Sequence, residues 1–100
     1  VPRFEVVWQR AAKRAVAEVL PEKIAFVVYE YITERLCENP RRLGKPLAKP
    51  WQGYYSARVN MYRIIYRIDD NRVIVIVADV RHRAHVYAAQ LQGKRKPPPK

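Results

Sequence analysis

The sequence predicts an α+β domain: an antiparallel sheet of about four strands with an N-terminal helical hairpin packed on it, in the order β-α-α-β-β-β. Three patterns carry this. Tyr62, Ile64, Tyr66 and Ile68 alternate with Arg63, Ile65 and Arg67, the period-two signature of a half-buried strand. Ile24, Val27, Val28, Tyr31, Ile32 and Leu36 follow the i, i+3, i+4, i+7 spacing of an amphipathic helix. The run Val73 to Val80 is apolar on both faces and reads as a central strand.

Taken in order, Phe4, Val6 and Trp8 alternate with Arg3, Glu5 and Val7, giving a short first strand. A helix follows from about Gln9 to Leu20, with Ala12, Ala15, Val16, Val19 and Leu20 on one stripe. Leu20-Pro21 interrupts it. Pro21 and Glu22 suit the first turn of a second helix, where proline lacks only a donor that would be orphaned anyway. That helix stops before Asn39-Pro40. Residues 39–53, NPRRLGKPLAKPWQG, read as a proline-stiffened loop carrying Arg41, Arg42, Lys45 and Lys49. Trp51 either stacks on a base or pins the loop to the body.

The hairpin of Tyr54–Asp70 is the centre of the chain. A tight turn at Asn60-Met61 pairs Val59 with Tyr62 and Arg58 with Arg63. Directly opposed side chains stand with Cβ atoms about 4.5–5.5 Å apart, and like charges so placed repel. An anion such as a phosphate between the two guanidiniums resolves that conflict. A second tight turn at Asp70-Asn71 pairs Ile68 with Val73 and, by simple alternation, Arg63 with Ala78. Arg81, His82, Arg83, His85 and Tyr87 then form the one cluster with acid-base potential.

One hundred residues make a single domain, here residues 1–92, followed by a basic, proline-rich tail, 93–100, expected to be disordered. Cys37 is the lone cysteine, so neither an internal disulfide nor a cysteine-based metal site is possible. No Walker loop, HExxH, GxGxxG or serine triad is present, so no metal and no cofactor is expected. No apolar run approaches the roughly 20 residues of a membrane span, and no signal peptide is visible. A cytoplasmic protein without a membrane partner is expected. The formal net charge is +11. Residues 1–38 are neutral, whereas residues 39–100 hold fourteen Lys and Arg against three Asp. A neutral scaffold with one basic face is the footprint of a nucleic-acid partner.

Several segments, in their order and spacing, resemble the RelE-type toxins of bacterial type II toxin–antitoxin modules, within the RelE/ParE superfamily. They are Leu20-Pro21-Glu22-Lys23-Ile24, Arg42-Leu43-Gly44-Lys45-Pro46-Leu47, Ser56-Ala57-Arg58, Tyr62-Arg63-Ile64-Ile65-Tyr66, Ile68-Asp69-Asp70, His82-Arg83 and Val86-Tyr87. The resemblance spans about residues 3–88. It implies a fold similar to small microbial ribonucleases. It also implies a ribosome-dependent endoribonuclease that cuts mRNA in the A site of the 70S ribosome and stops translation. The partners implied are the ribosome, mRNA and a RelB-like antitoxin. Attack by the ribose 2′-oxygen on the adjacent phosphate needs a base, cations for the phosphorane and an acid for the leaving 5′-oxygen. The resemblance assigns this work to Arg58, Arg63, Arg83 and Tyr87. His82 and His85 are further candidates, and Arg41, Arg42, Lys45, Lys49 and Arg81 are expected to contact RNA or ribosome. The chain departs from the family pattern at Ser56, where a second strand cation stands in other members, and at Arg81 and His85. Two other readings stand beside this one: a ParE-like inhibitor of DNA gyrase, against which Arg58, Arg63, Arg83 and Tyr87 argue, and a noncatalytic basic module that binds ribosome or nucleic acid, which the Ser56 departure favours.

Overall fold

The computed structural model describes residues 3–82. Arg83, His85, Tyr87 and the tail lie outside the described residues. The chain forms β1 (Glu5–Trp8), α1 (Arg10–Arg14), α2 (Glu22–Glu30), α3 (Pro40–Leu43), β2 (Lys45–Pro46), β3 (Tyr55–Val59), β4 (Tyr62–Asp69) and β5 (Ile74–His82). Each long helix ends in a wider π-helical turn, Ala15–Val19 after α1 and Tyr31–Leu36 after α2.

The sheet has five strands in the order β1-β5-β4-β3-β2. It is mixed, because β1 runs parallel to β5 while the other pairs are antiparallel. The extra strand is the two-residue β2, which turns part of the expected 39–53 loop into a sheet edge. The helices carry the chain from β1 at one edge of the sheet to β2 at the other, and the antiparallel strands β3, β4 and β5 then lead back to lie beside β1.

The core lies between the helices and one face of the sheet. Ala12, Ala15, Val28, Ile32 and Leu36 meet Ala57, Val59, Ile64, Tyr66, Val75, Val77 and Val80. Val19 and Val27, expected on the buried stripes, are exposed instead. Val19 closes the π turn of Ala15–Val19, which departs from 3.6-residue spacing, whereas Val27 lies in the regular part of α2 and nothing in the structure explains its exposure. Cys37 is a buried packing residue whose thiol donates to the Ile32 carbonyl at 3.1 Å. Tyr66 is fully buried, stacks on Tyr55 at 5.6 Å and donates its hydroxyl to the Pro40 carbonyl. A Cβ at Gly44 would overlap that hydroxyl, so glycine is required where α3 closes on the sheet.

The first hairpin has the predicted register, with Arg58 opposite Arg63 and Val59 opposite Tyr62. Asn60 takes the left-handed backbone at φ 59°, which asparagine tolerates. The second hairpin differs from the two-residue turn expected. Residues 70–73 form a longer turn, with Val73 itself left-handed at φ 56°. Ile68 therefore pairs with Val75 rather than Val73. The register then slips once more between Ile65 and Tyr66, which face Asp79 and Val77 and leave Ala78 as the bulged residue. Together these shifts set Arg63 opposite Arg81 instead of Ala78.

Candidate active site on the open face of the sheet

The sheet face turned away from α1 and α2 carries the basic side chains. Paired residues share a face, so two cross-strand rows can be read directly from the register. One runs Arg58, Arg63, Arg81 across β3, β4 and β5. The next runs Lys45, Ser56, Ile65, Asp79 across β2 to β5. Arg67 lies further along β4 on the same face, since it alternates with Ile65 and Arg63. Its Nε is buried without a hydrogen-bond partner among the described residues.

Residues from the 47–53 loop cover the middle of this face. Trp51, Tyr54, Ile65 and Ala78 form a small second core, with Leu47 against it. Trp51 is only 3% exposed, so it pins the loop. Gly53 turns the chain at φ 93° between Trp51 and β3.

Arg58 is exposed, and its Nε donates to the Asn60 carbonyl at 3.2 Å, which holds it beside the turn. Arg63 is half-buried and has no acidic partner among the described residues. Arg81 was expected to contact RNA or ribosome. It is 8% exposed, pairs with Asp79 at 2.5 Å and lies 5.9 Å from the Trp51 ring centroid. The bulge at Ala78 is the cause, since it turns Asp79 and Arg81 toward this covered face. Arg41 is likewise tied, in a two-pronged ion pair with Asp70 that raises its own pKa and lowers that of the carboxylate. Arg42, Lys45 and Lys49 are exposed, with no partner among the described residues. Lys45 stands directly opposite Ser56, so a cation lies beside the serine that departs from the family pattern.

His82 is placed elsewhere. It pairs with Tyr62 and meets that ring edge-on at 5.4 Å, on the face that carries the helices. The structure therefore brings Arg58, Arg63 and Arg81 together and leaves His82 across the sheet from them. Arg83, His85 and Tyr87 lie outside the described residues. Sequence alternation alone put Arg67 on the face of Arg63, yet gave it no role. A bulge or strand end near Asp79–Arg81 was expected from the sequence, but the Asp79–Arg81 ion pair that the bulge at Ala78 creates was not. Among the described residues no group of His, Cys, Asp and Glu could hold a metal ion. No helix among them is long and apolar enough to cross a membrane.

The family model for the ParE toxin of the type II toxin–antitoxin system parDE matches residues 6–87. The chain belongs to the RelE/ParE toxin family. It is thus the toxin of a type II toxin–antitoxin module. It is 43% identical over 68 residues to the toxin RelG of Mycobacterium tuberculosis, covering 68% of this chain and 78% of that protein. The toxin RelE of the same organism is also 43% identical over 68 residues, covering 68% of this chain and 70% of its own length. Among solved structures, the M. tuberculosis toxin–antitoxin complex RelBE2 superimposes with a TM-score of 0.76 at 36% identity, covering 82% of this chain and all of that one (100%). Free Escherichia coli RelE, in a double-arginine variant, gives a TM-score of 0.66 at 16% identity over 94% of this chain and 100% of that chain, a likeness of fold.

Proposed function

We propose that this toxin is a ribosome-dependent endoribonuclease that cuts mRNA in the A site, with the row Arg58, Arg63, Arg81 holding the scissile phosphate. The observation that carries this is the row itself. Arg81 in this row already has the Asp79 carboxylate, whereas Arg58 and Arg63 stand directly opposite one another with no acidic partner among the described residues, and like charges so placed repel unless an anion lies between them. A phosphorane is such an anion. In the reaction the 2′-oxygen bonds to phosphorus and the P–O5′ bond breaks, giving a 2′,3′-cyclic phosphate and a free 5′-hydroxyl. Fixed donors aimed at the developing charge lower the barrier without reorganising. Lys45 and Arg67 extend positive charge along the same face for flanking phosphates. Arg42 and Lys49 are exposed and suited to ribosomal RNA. Tyr87 carries one proton transfer and Arg83 stabilises the leaving oxygen, as the family resemblance implies.

Several solved relatives are complexes of a RelE-type toxin with its RelB antitoxin. We place a RelB-like antitoxin as the partner of this chain. The surface supports it in two ways. Phe26, Val19 and Tyr29 are more than half or half exposed, at 65%, 67% and 50%, on the helical side. A groove beside them is lined by Trp8, Lys13, Val16, Ala17 and Tyr29. An amphipathic helix fits there, and an acidic segment fits the arginine face. A cytoplasmic site of action follows from the ribosomal target.

The match to a ParE family model keeps gyrase as the competing target. Two assays separate them. Mapping RNA ends after brief induction in growing cells should reveal cuts within translated codons. A gyrase supercoiling assay with the purified toxin should show no inhibition. The reverse pair of results would replace the ribonuclease with a gyrase poison, and neither effect would leave a binding module.

A further inference from the structure

We propose that Asp79 is the positioning residue of this site, holding Arg81 as a fixed donor beside Arg63. The proposal deepens the ribonuclease reading and rests on it. Asp79 is 7% exposed, and its carboxylate is itself anchored, since Oδ1 accepts the Val80 N–H at 2.8 Å. Oδ2 accepts Nε–H of Arg81 at 2.5 Å. The Trp51 indole lies against the guanidinium, and Tyr54 meets Trp51 edge-on at 5.4 Å and 88°. Arg81 is thus held along one edge by an acid and on one face by a ring. Among the described residues no other group takes a hydrogen bond from it.

Stability does not account for this arrangement. An apolar pair of similar volume packs a covered sheet face at least as well as a buried ion pair does. The pair has a use where three arginines share a row. In the free protein Asp79 neutralises one of three charges that would otherwise repel. When phosphate enters, the Nη edge of Arg81 is already aimed, because it was fixed through Nε. A planar guanidinium can be gripped on one edge and donate from another, which an ammonium cannot do.

The test is single-turnover cleavage on mRNA-programmed ribosomes by Asp79→Asn, Arg81→Ala, the double variant and Arg81→Lys. Asp79→Asn is expected to cut at least about tenfold more slowly, in line with the loss of one preorganised donor, while ribosome affinity changes little. In the Arg81→Ala background Asp79→Asn should add nothing, since the acid acts through the arginine. Arg81→Lys keeps the charge but not the grip, and should be as slow as Asp79→Asn. Equal slowing by Asp79→Asn with and without Arg81 would overturn the proposal. So would wild-type cutting by Arg81→Lys, which decides the matter alone if Asp79→Asn does not fold. A wild-type protein that cuts no RNA sinks the ribonuclease reading instead. The role of Asp79 is then read from the Arg81 Nε–H resonance during titration with inorganic phosphate. That signal should be protected and shift with phosphate in the wild type and lose both properties in Asp79→Asn. The same response in both proteins would dismiss Asp79 as a positioning residue.

Discussion

Replacing Tyr66 with phenylalanine isolates the bond that fastens α3 and its cations to the sheet. Tyr66 is fully buried, and its hydroxyl donates to the carbonyl of Pro40, which is buried too. Phenylalanine keeps the ring stacked on Tyr55 at 5.6 Å, so packing changes little. What is lost is one hydrogen bond, and one buried acceptor is left unmet. Such a deletion costs about 1–3 kcal/mol. For a domain of this size each kcal/mol moves the melting temperature by roughly 4–8 °C, so a fall on the order of 10 °C is expected. The pH dependence gives a second, sharper signal. Burial first, then the neighbouring Tyr31 and Tyr55, push the Tyr66 pKa up from its ordinary value. A raised folded-state pKa means that the contribution is whole below the unfolded value of about 10 and is lost as pH rises beyond it. The phenylalanine variant has no such loss. The stability gap between the two proteins should therefore narrow above about pH 10. Urea denaturation of both proteins at neutral and alkaline pH measures it. A gap that stays constant or widens would refute the burial of this phenol, and equal stability at pH 7 would refute the bond.

Gly44→Ala should destabilise by about 1–3 kcal/mol, the range for overpacking, because its Cβ meets the Tyr66 hydroxyl; pairing it with Tyr66→Phe should restore part of the loss in denaturation midpoint. Burial also pushes up the Cys37 thiol, so a thiol reagent should label it slowly in the native protein and at the free-thiol rate once urea unfolds it. Fast native labelling would contradict its place in the core. Tyr87→Phe should slow single-turnover cleavage at least about tenfold, within the range of general acid–base steps, while His85→Ala matters less. If His85→Ala is dead and a limb near pH 6–7, about the unperturbed histidine pKa, vanishes with it, histidine rather than Tyr87 moves the proton.

The sequence made the helical hairpin, the first strand and the Arg58–Arg63 pairing legible, because each rests on local periodicity or one turn. The left-handed Asn60 fixes that first register by itself. The apolar run Val73–Val80 also showed as a central strand, now β5, but the register past Asp70 needed information that local pattern does not hold. A left-handed β-branched residue such as Val73 is not a turn signal, so the longer turn was invisible. The bulge at Ala78 is a tertiary event, and it decides whether Arg81 or His82 shares the face of Arg63. The two-residue β2 is too short to show alternation, yet it is what sets Lys45 against Ser56. Val19 fits the helical period and is exposed all the same, since it lies in a π turn that departs from that period.

The central claim is that guanidiniums on the open face of the sheet stabilise a phosphorane, and Arg63 tests it most directly. It is the middle of the row and has no acidic partner among the described residues. Single-turnover cleavage on programmed ribosomes should fall by roughly 10²–10³ in Arg63→Ala, about 2.7–4 kcal/mol of barrier, the usual worth of one fixed donor at a developing charge. Ribosome affinity, measured alongside, should fall far less, because the remaining cations still neutralise backbone phosphates. Wild-type cleavage by Arg63→Ala, or a loss of rate matched by an equal loss of affinity, would contradict the account.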